Sequence, residues 1–151
     1  MTVEKLFDAI NIRAQYKARV GFGELPFTDG ELKVQLEKHL NTAINEVVKF
    51  AKTDGAVFNV KVENGAIAVE LSGDNVVNID ALKVAVREYL EHEVAYLWWM
   101  EFDPSRADGS AKLLLADKIK KIVYAASPAS VVPEKRTYKM VFIPEGRYTI
   151  E

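Results

Sequence analysis

The chain contains no cysteine among its 151 residues. This absence excludes disulfide bridges, metal sites built on thiolates and catalysis by a cysteine nucleophile. It suits a protein that stays in a reducing cytosol, or one that belongs to a particle assembled there. A secreted, disulfide-stabilised scaffold is therefore not expected.

The chain also has little net charge and no long apolar run. Its formal net charge is -2, so electrostatics give no general reason to expect nucleic-acid binding. No apolar stretch approaches the length of a membrane-spanning helix, and the charges scattered through residues 1–17 are not those of a signal peptide. With 49% hydrophobic residues and no repeat or long linker, the sequence predicts a single domain over residues 1–151.

The longest apolar-rich helical pattern is Ile79–Phe102, which carries both tryptophans. Asn78 or Asp80 is placed to cap its start, and the pair Asp103-Pro104 forces it to end. The first half is an ordinary amphipathic helix, whereas residues 96–102 are apolar on almost every side. A helix that is apolar all round is buried all round, so this end is expected to be covered on several sides.

Two further helices precede this one, and each shows apolar residues spaced three and four apart. The first covers residues 3–19 and ends at the glycines that follow it. The second begins with a capping box, in which Thr28 and Glu31 can each bond the backbone amide of the other. Gly55 is well placed to end it as a left-handed cap.

The last predicted helix begins at Asp108 or Ser110 and runs to about Ala126. Residues 80–103 hold six acids against two bases, whereas residues 105–121 hold five bases against two acids. Because the connection between them is short, the two helices are expected to be antiparallel neighbours with their charges facing. Exposed pairs of this kind contribute about 0–1 kcal/mol each, so they select the register more than they stabilise the helix pair.

A β-hairpin is predicted over residues 57–72. Its turn is Asn64-Gly65, because a type I′ turn needs positive φ at both central residues. Folding the chain there places three apolar pairs on one face: Val62 with Ile67, Val60 with Val69, and Phe58 with Leu71. A register shift of one residue would move these apolar side chains to the other face, so the register is well specified. A two-stranded hairpin is marginal alone, and this one needs cover from helices or a third strand.

The tail, residues 127–151, is predicted to be a loop followed by a second hairpin, with strand-like TYKMVFI, a turn at Pro144-Glu145-Gly146 and a short return strand. This hairpin either joins the first in one small sheet or extends as a C-terminal arm to a neighbour. The expected fold class is α+β: about four helices in a bundle, with one or two β-hairpins forming a small antiparallel sheet.

No residue cluster predicts catalysis, a metal or a cofactor. His92 lies between two acids, but a zinc-protease pattern would need a second histidine where Tyr96 stands. His39 stands alone among Glu37, Lys38 and Leu40, which does not predict a metal site. Glu101 and Asp103 flank a helix end, where a charge cluster is the ordinary interpretation of paired carboxylates. We therefore expect no enzymatic activity, no cofactor and no metal.

Two other features are weak signals of phosphate contact. Gly21-Phe22-Gly23 resembles half of a phosphate loop, but it follows a helix and lacks the lysine and hydroxyl that complete the motif, so it predicts a turn. Basic residues within 112–121 and at Lys135-Arg136 are the ones that would touch a nucleic-acid backbone. Several of them lie at a helix C-terminus, where positive charge is favourable in any case, so nucleic-acid contact is the less favoured interpretation.

Trp98 and Trp99 are the most informative pair. Adjacent helical residues point about 100° apart, so one core rarely takes both. Either both are buried in an unusually large core, or one anchors an interface, where Trp, Tyr and Met are favoured. The interface candidates are the large side chains of this helix end and of the C-terminal hairpin: Trp98, Trp99, Met100, Phe102, Tyr138, Phe142 and Tyr148.

Three helical segments carry a resemblance to a known class: TDGELKVQLEKHLNTAINEVVKF, ALKVAVREYLEHEVAYLWW and AKLLLADKIKKIVYAA. In this order they resemble small head–tail connector or neck-ring proteins of tailed bacteriophages, although those connectors are mostly helical and this chain adds two hairpins. The resemblance implies a non-catalytic ring subunit that forms a homo-oligomer between portal and tail and contacts other virion proteins. It implies a location in the virion, after assembly in the host cytoplasm, with no membrane contact.

Two other classes stay open. A small cytoplasmic binding module would hold its ligand, without catalysis, in a pocket between the sheet and the Trp98 end of the helix. An enzyme would use the acids near Glu101 and Asp103. Under the connector interpretation, Trp99→Ala is expected to weaken assembly while leaving the monomer folded, because the two indoles point in different directions.

Overall fold

The computed structural model describes residues 1–21, 23–53, 58–71, 78–107, 109–126, 141–143 and 147–149. The described elements, in chain order, are α1 (Val3–Ile10), α2 (Ile12–Val20), α3 (Asp29–Thr53), β1 (Phe58–Glu63), β2 (Ala66–Leu71), α4 (Ile79–Phe102), α5 (Gly109–Ala126), β3 (Val141–Ile143) and β4 (Arg147–Thr149). A short 3₁₀ turn, Pro104–Arg106, follows α4. The predicted α+β class is confirmed, since helices dominate and antiparallel hairpins accompany them.

The prediction of one helix over residues 3–19 is wrong, because the segment forms two helices. Asn11 separates α1 from α2 in the left-handed region, with φ 48° and ψ 63°. Asparagine adopts this conformation more readily than most residues, and its side chain also accepts the amide of Ala14 and caps α2. The break rotates α2, so Ala14 and Ala18 are exposed instead of joining the buried face.

The capping predictions are confirmed where the structure describes them. The Thr28 amide donates to Glu31 and the Glu31 amide donates to the Thr28 hydroxyl, both at 3.2 Å. Asn78 caps α4 by accepting the Ala81 amide at 3.1 Å, and α4 has the bounds that the sequence predicts. The predicted helix end at Gly55 lies outside the described residues.

Helices α4 and α5 are antiparallel neighbours, as predicted. Glu88 near the middle of α4 meets Lys118 near the middle of α5 at 3.3 Å. The two ends follow in reverse order, since Val84 shares a groove with Tyr124. The inner face of α5 includes the predicted residues Leu115 and Ile122, both buried. None of the described helices combines the length and apolar character that crossing a membrane would need.

The first hairpin has the predicted register and turn. Its pairs include Phe58 with Leu71 and Val62 with Ile67, and both turn residues have positive φ, 52° at Asn64 and 75° at Gly65. It receives both of the supports that a two-stranded sheet needs. Helix α3 covers β1 and α4 covers β2. In addition, the chain start pairs with β2, where the Ile67 amide donates to the carbonyl of Met1 at 2.9 Å.

The second hairpin pairs β3 with β4 and places Phe142 opposite Tyr148 along the backbone. Among the described strands the two hairpins form separate two-stranded sheets, so they do not join in one sheet. Tyr138, the predicted turn at residues 144–146, and the side chains of Phe142 and Tyr148 lie outside the described part. Their role as interface candidates therefore stays a prediction.

Candidate functional site

The apolar end of α4 is buried by the chain itself. Trp98 and Trp99 are only 1% and 2% exposed. Each indole N–H also has a half-buried partner, since Trp98 donates to Gln35 at 2.9 Å and Trp99 donates to Gln15 at 3.0 Å. Gln35 belongs to α3 and Gln15 to α2, so two different helices cover two different sides of α4.

The side chains of this helix end also form an aromatic cluster with residues of the neighbouring segments. Trp98 stacks on Phe102 with ring centroids 4.7 Å apart, and it stands perpendicular to Trp99 at 5.0 Å. Phe27 and Tyr16 contact Phe102 edge-on. Such pairs add about 0.5–1.5 kcal/mol each beyond the area they bury. The many apolar residues of this helix end are therefore used within the monomer.

This burial corrects the choice of Trp98 and Trp99 as interface candidates, because neither indole has surface left for a neighbouring subunit. It equally removes the basis for expecting Trp99→Ala to spare the monomer. Phe102 is half-buried in the same cluster. Of the four candidates on α4, Met100 is the one that stays exposed, at 42%.

Arg13 holds the segment between α2 and α3 over this cluster by two hydrogen bonds. Its guanidinium donates to the carbonyl of Phe27 at 3.0 Å and to the carboxylate of Asp29 at 2.7 Å. Gly21 allows the chain to leave α2, with φ 84°, in the turn that the glycines predict. The sequence gives no strong local signal that this segment covers the end of α4, because the two are far apart along the chain.

A cleft of about 480 Å³ lies beside Trp99, between α1, α2, α4 and α5. The binding-module interpretation expected a pocket between the sheet and the helix end, but this cleft is lined by helices and the turn after α4, and no residue of the described strands borders it. Several of its polar groups already have partners in the chain. The Arg19 guanidinium lies 5.0 Å from the centre of the Trp99 ring, and Glu91 lies 3.7 Å from Arg87. His92 Nδ1 bonds the Glu88 carbonyl at 2.8 Å.

His39, in contrast to its isolated appearance in the sequence, is buried against α4. Its Nε2 lies 3.1 Å from Glu101, out of line for a directed hydrogen bond. Burial lowers the pKa of His39; Glu101 acts in the opposite direction, and Lys38 adds to the lowering. The ring is thus neutral at pH 7, and its contact with Glu101 is a polar contact between helices α3 and α4.

The two acids weighed as an enzyme site have separate partners. Glu101 contacts Lys38 at 3.3 Å as well as His39, whereas Asp103 accepts the Ser105 hydroxyl at 2.6 Å in the turn after α4. The structure therefore gives each carboxylate a structural contact of its own. No group of three or more potential metal-ligating side chains occurs among the described residues.

Among the acids in the described part of the chain, Glu93 is the one whose pKa the fold shifts. It lies half-buried on α4 near Tyr89 and near Glu46 of α3. Burial raises the pKa of Glu93, and the Glu46 carboxylate raises it further. Burial and the same two carboxylates raise the pKa of Tyr89, which keeps its hydroxyl protonated. The folded state therefore disfavours a charge on Glu93.

Replacing Glu93 with glutamine is expected to raise the free energy of unfolding at neutral pH. The folded-state pKa lies above the unfolded value of about 4.3, so wild-type stability falls as pH rises from that value through the raised pKa. Glutamine cannot ionise and escapes this loss. Urea unfolding from about pH 4 to 7 should show a difference between variant and wild type that grows with pH. Glu24→Gln, at an exposed residue, is the control, and a difference independent of pH would contradict the assignment.

The outward face of α5 is the surface that sequence reasoning missed. Leu113 is 75% exposed and Tyr124 is 65% exposed. They are eleven residues apart, which is about three helical turns, so both lie on the same side of the helix. Asp117 and Lys120 lie between them on that side and are also exposed. The spacing of four, three and four residues indicates that these four residues share one side of the helix. The apolar pattern of the inner face is stronger and dominates the sequence of α5.

The lysines of α5 do not all lie on this face. Lys118 points toward α4 and pairs with Glu88, with 13% of its side chain exposed. Lys112, Lys120 and Lys121 are exposed. Lys135 and Arg136, the other residues considered for phosphate contact, lie outside the described part of the chain. The described lysines are thus divided between a contact within the fold and the outer surface.

Comparison of the chain with models of protein families, with curated proteins and with solved structures finds no match in any of the three.

Proposed function

We propose that the protein is a non-catalytic structural subunit that assembles with copies of itself, in the manner of a head–tail connector or neck-ring subunit of a tailed-bacteriophage virion. The observation that carries this proposal is the outward face of α5, where Leu113 and Tyr124 expose apolar surface on one side of a single helix. Scattered exposed apolar residues are ordinary. What favours a contact surface here is that these two lie on one side of α5, with exposed Val84 next to Tyr124.

Two further observations support assembly over catalysis or ligand binding. Val84 of α4, 46% exposed, borders the groove next to Tyr124 and extends the apolar surface beyond α5. The polar groups of the cleft beside Trp99, by contrast, are largely engaged by neighbouring groups of the same chain. The three helical segments that resemble phage connectors include α5 itself.

The proposal is tested by measuring solution mass against protein concentration. Wild type should exceed the mass of one chain as concentration rises, and the double variant Leu113→Ser/Tyr124→Ser should stay near one chain. Val34→Ser is the matched control, because Val34 is 68% exposed on a different helix, α3. Assembly through α5 is contradicted if the double variant associates as strongly as wild type.

A further inference from the structure

We propose that α5 pairs with α5 of a second copy of this chain, antiparallel and about a two-fold axis. This inference rests on the proposed self-association and specifies one contact of it. An isologous contact closes a dimer, so a ring would also need a separate head-to-tail contact elsewhere on the chain. In the pairing, Leu113 faces Tyr124 of the partner subunit, and Asp117 faces the partner's Lys120. The axis passes between positions 118 and 119, which is the midpoint of both pairs. Each contact therefore occurs twice, as an isologous interface requires.

The spacing of the outward face supports this geometry. Leu113, Asp117, Lys120 and Tyr124 follow one another at four, three and four residues, which is the spacing of a coiled-coil seam. The outer layers are apolar and lie about 16 Å apart along the helix. The inner layers are charged, and central polar layers are the devices that select register and orientation in helix pairs.

The charges decide between the two orientations. If α5 paired with its copy in parallel and in register, Asp117 would face Asp117 of the partner subunit and Lys120 would face the partner's Lys120. Both contacts would be repulsive. The antiparallel arrangement converts each of them into an attraction between opposite charges. A second copy of the chain is the natural occupant because the face is complementary to itself in both size and charge.

The neighbouring groove gives the partner a place to pack. It has a volume of about 830 Å³, and Ala81, Val84 and Ala85 of α4 line it next to Tyr124. The partner's Leu113 would therefore meet apolar surface of α4 in addition to the Tyr124 ring. A contact confined to one helix and this groove falls at the small end of specific interfaces, below about 1,200 Å², so the association is expected to be weak and concentration-dependent.

Charge reversal tests the pairing directly. Asp117→Lys and Lys120→Asp each turn both central contacts into repulsions, and each is expected to raise the dimer dissociation constant about tenfold or more. The double variant Asp117→Lys/Lys120→Asp restores opposite charges across the axis and should return to within about threefold of wild type. Sedimentation equilibrium at low ionic strength measures these constants. Lys5→Asp, at an exposed residue on α1, is the control and should leave the constant unchanged.

A mixing experiment separates contacts between chains from effects within one helix. An equimolar mixture of Asp117→Lys with Lys120→Asp should form a heterodimer, because every central contact then joins opposite charges. Circular dichroism of each variant verifies that it is folded. If the mixture associates no better than its components, or if the single variants associate like wild type, the pairing is wrong while assembly through another contact stands. If wild type keeps the mass of one chain up to about 1 mM, well above the dissociation constants of specific complexes, both the pairing and the proposed assembly fail.

Discussion

Replacing Trp99 with alanine is expected to lower the free energy of unfolding by about 3–5 kcal/mol, the range for large aromatic residues in cores. Trp99 is 2% exposed and touches both Trp98 and Phe102. Alanine would leave a large cavity and remove the stacking partner of Arg19. The side-chain carbonyl of half-buried Gln15, which accepts the indole N–H, would also lose its partner.

The neighbouring residue supplies a matched control for this prediction. Met100 is also large and apolar, but it is 42% exposed, so Met100→Ala should lower the free energy of unfolding by about 1 kcal/mol or less. Urea unfolding followed by far-ultraviolet circular dichroism measures both variants without relying on tryptophan fluorescence. Dilute protein keeps self-association from adding to the apparent stability. Similar values for the two variants would mean that Trp99 is not part of the core.

The features that the sequence predicts well are those with local chemistry. The hairpin register follows from Asn64-Gly65 and the alternation around it, because a turn type and a two-residue period together allow one pairing. The start of α3 follows from Thr28 and Glu31, which lie three residues apart. Cap and turn residues interact with neighbours only a few residues away, so their effect can be predicted without knowledge of the tertiary fold.

The features that the sequence predicts poorly depend on distant contacts. The Trp99 indole donates its hydrogen bond to a glutamine 84 residues earlier in the chain, and the Trp98 indole donates to one 63 residues earlier. Neither glutamine carries a local sign of this role. His39 likewise appeared isolated because its contact, Glu101, lies on another helix. The surplus of aromatic residues at the end of α4 predicts cover on several sides, and the interface interpretation assigns part of that cover to a neighbouring subunit. The cover comes instead from α2, α3 and the segment between them.

The prediction of one continuous helix through Asn11 is wrong for a different reason. Apolar residues continue at helical spacing on both sides of it, with Ile10 and Ile12 buried, so periodicity gives no warning. One left-handed residue changes the direction of the chain while its side chain caps the next helix. This break lets α2 bring Gln15 and Tyr16 over the α4 end, where they close the cluster around Trp99 and Phe102. A small local irregularity therefore contributes to the cover of Trp99.

Two substitutions on α5 should distinguish the role of its inward face in monomer stability from the role of its outward face in assembly. Ile122 is 0% exposed, and Ile122→Ala is expected to lower the free energy of unfolding of the monomer by about 2–5 kcal/mol, because it leaves a cavity against α4. Leu113 is 75% exposed, and Leu113→Ala should change the same quantity by no more than about 0.5 kcal/mol.

The two variants, Leu113→Ala and Ile122→Ala, should have the opposite order of effects on self-association. Leu113→Ala removes an apolar outer layer of the proposed contact, so it should weaken self-association while the monomer keeps its stability. Ile122→Ala keeps that outer layer, so the fraction of chains that remain folded should still associate. Urea unfolding of dilute samples and sedimentation of concentrated ones give the two quantities independently. A large loss of monomer stability in Leu113→Ala would show that this residue packs within its own chain, and α5 would then have no free outward face with which to join a second copy.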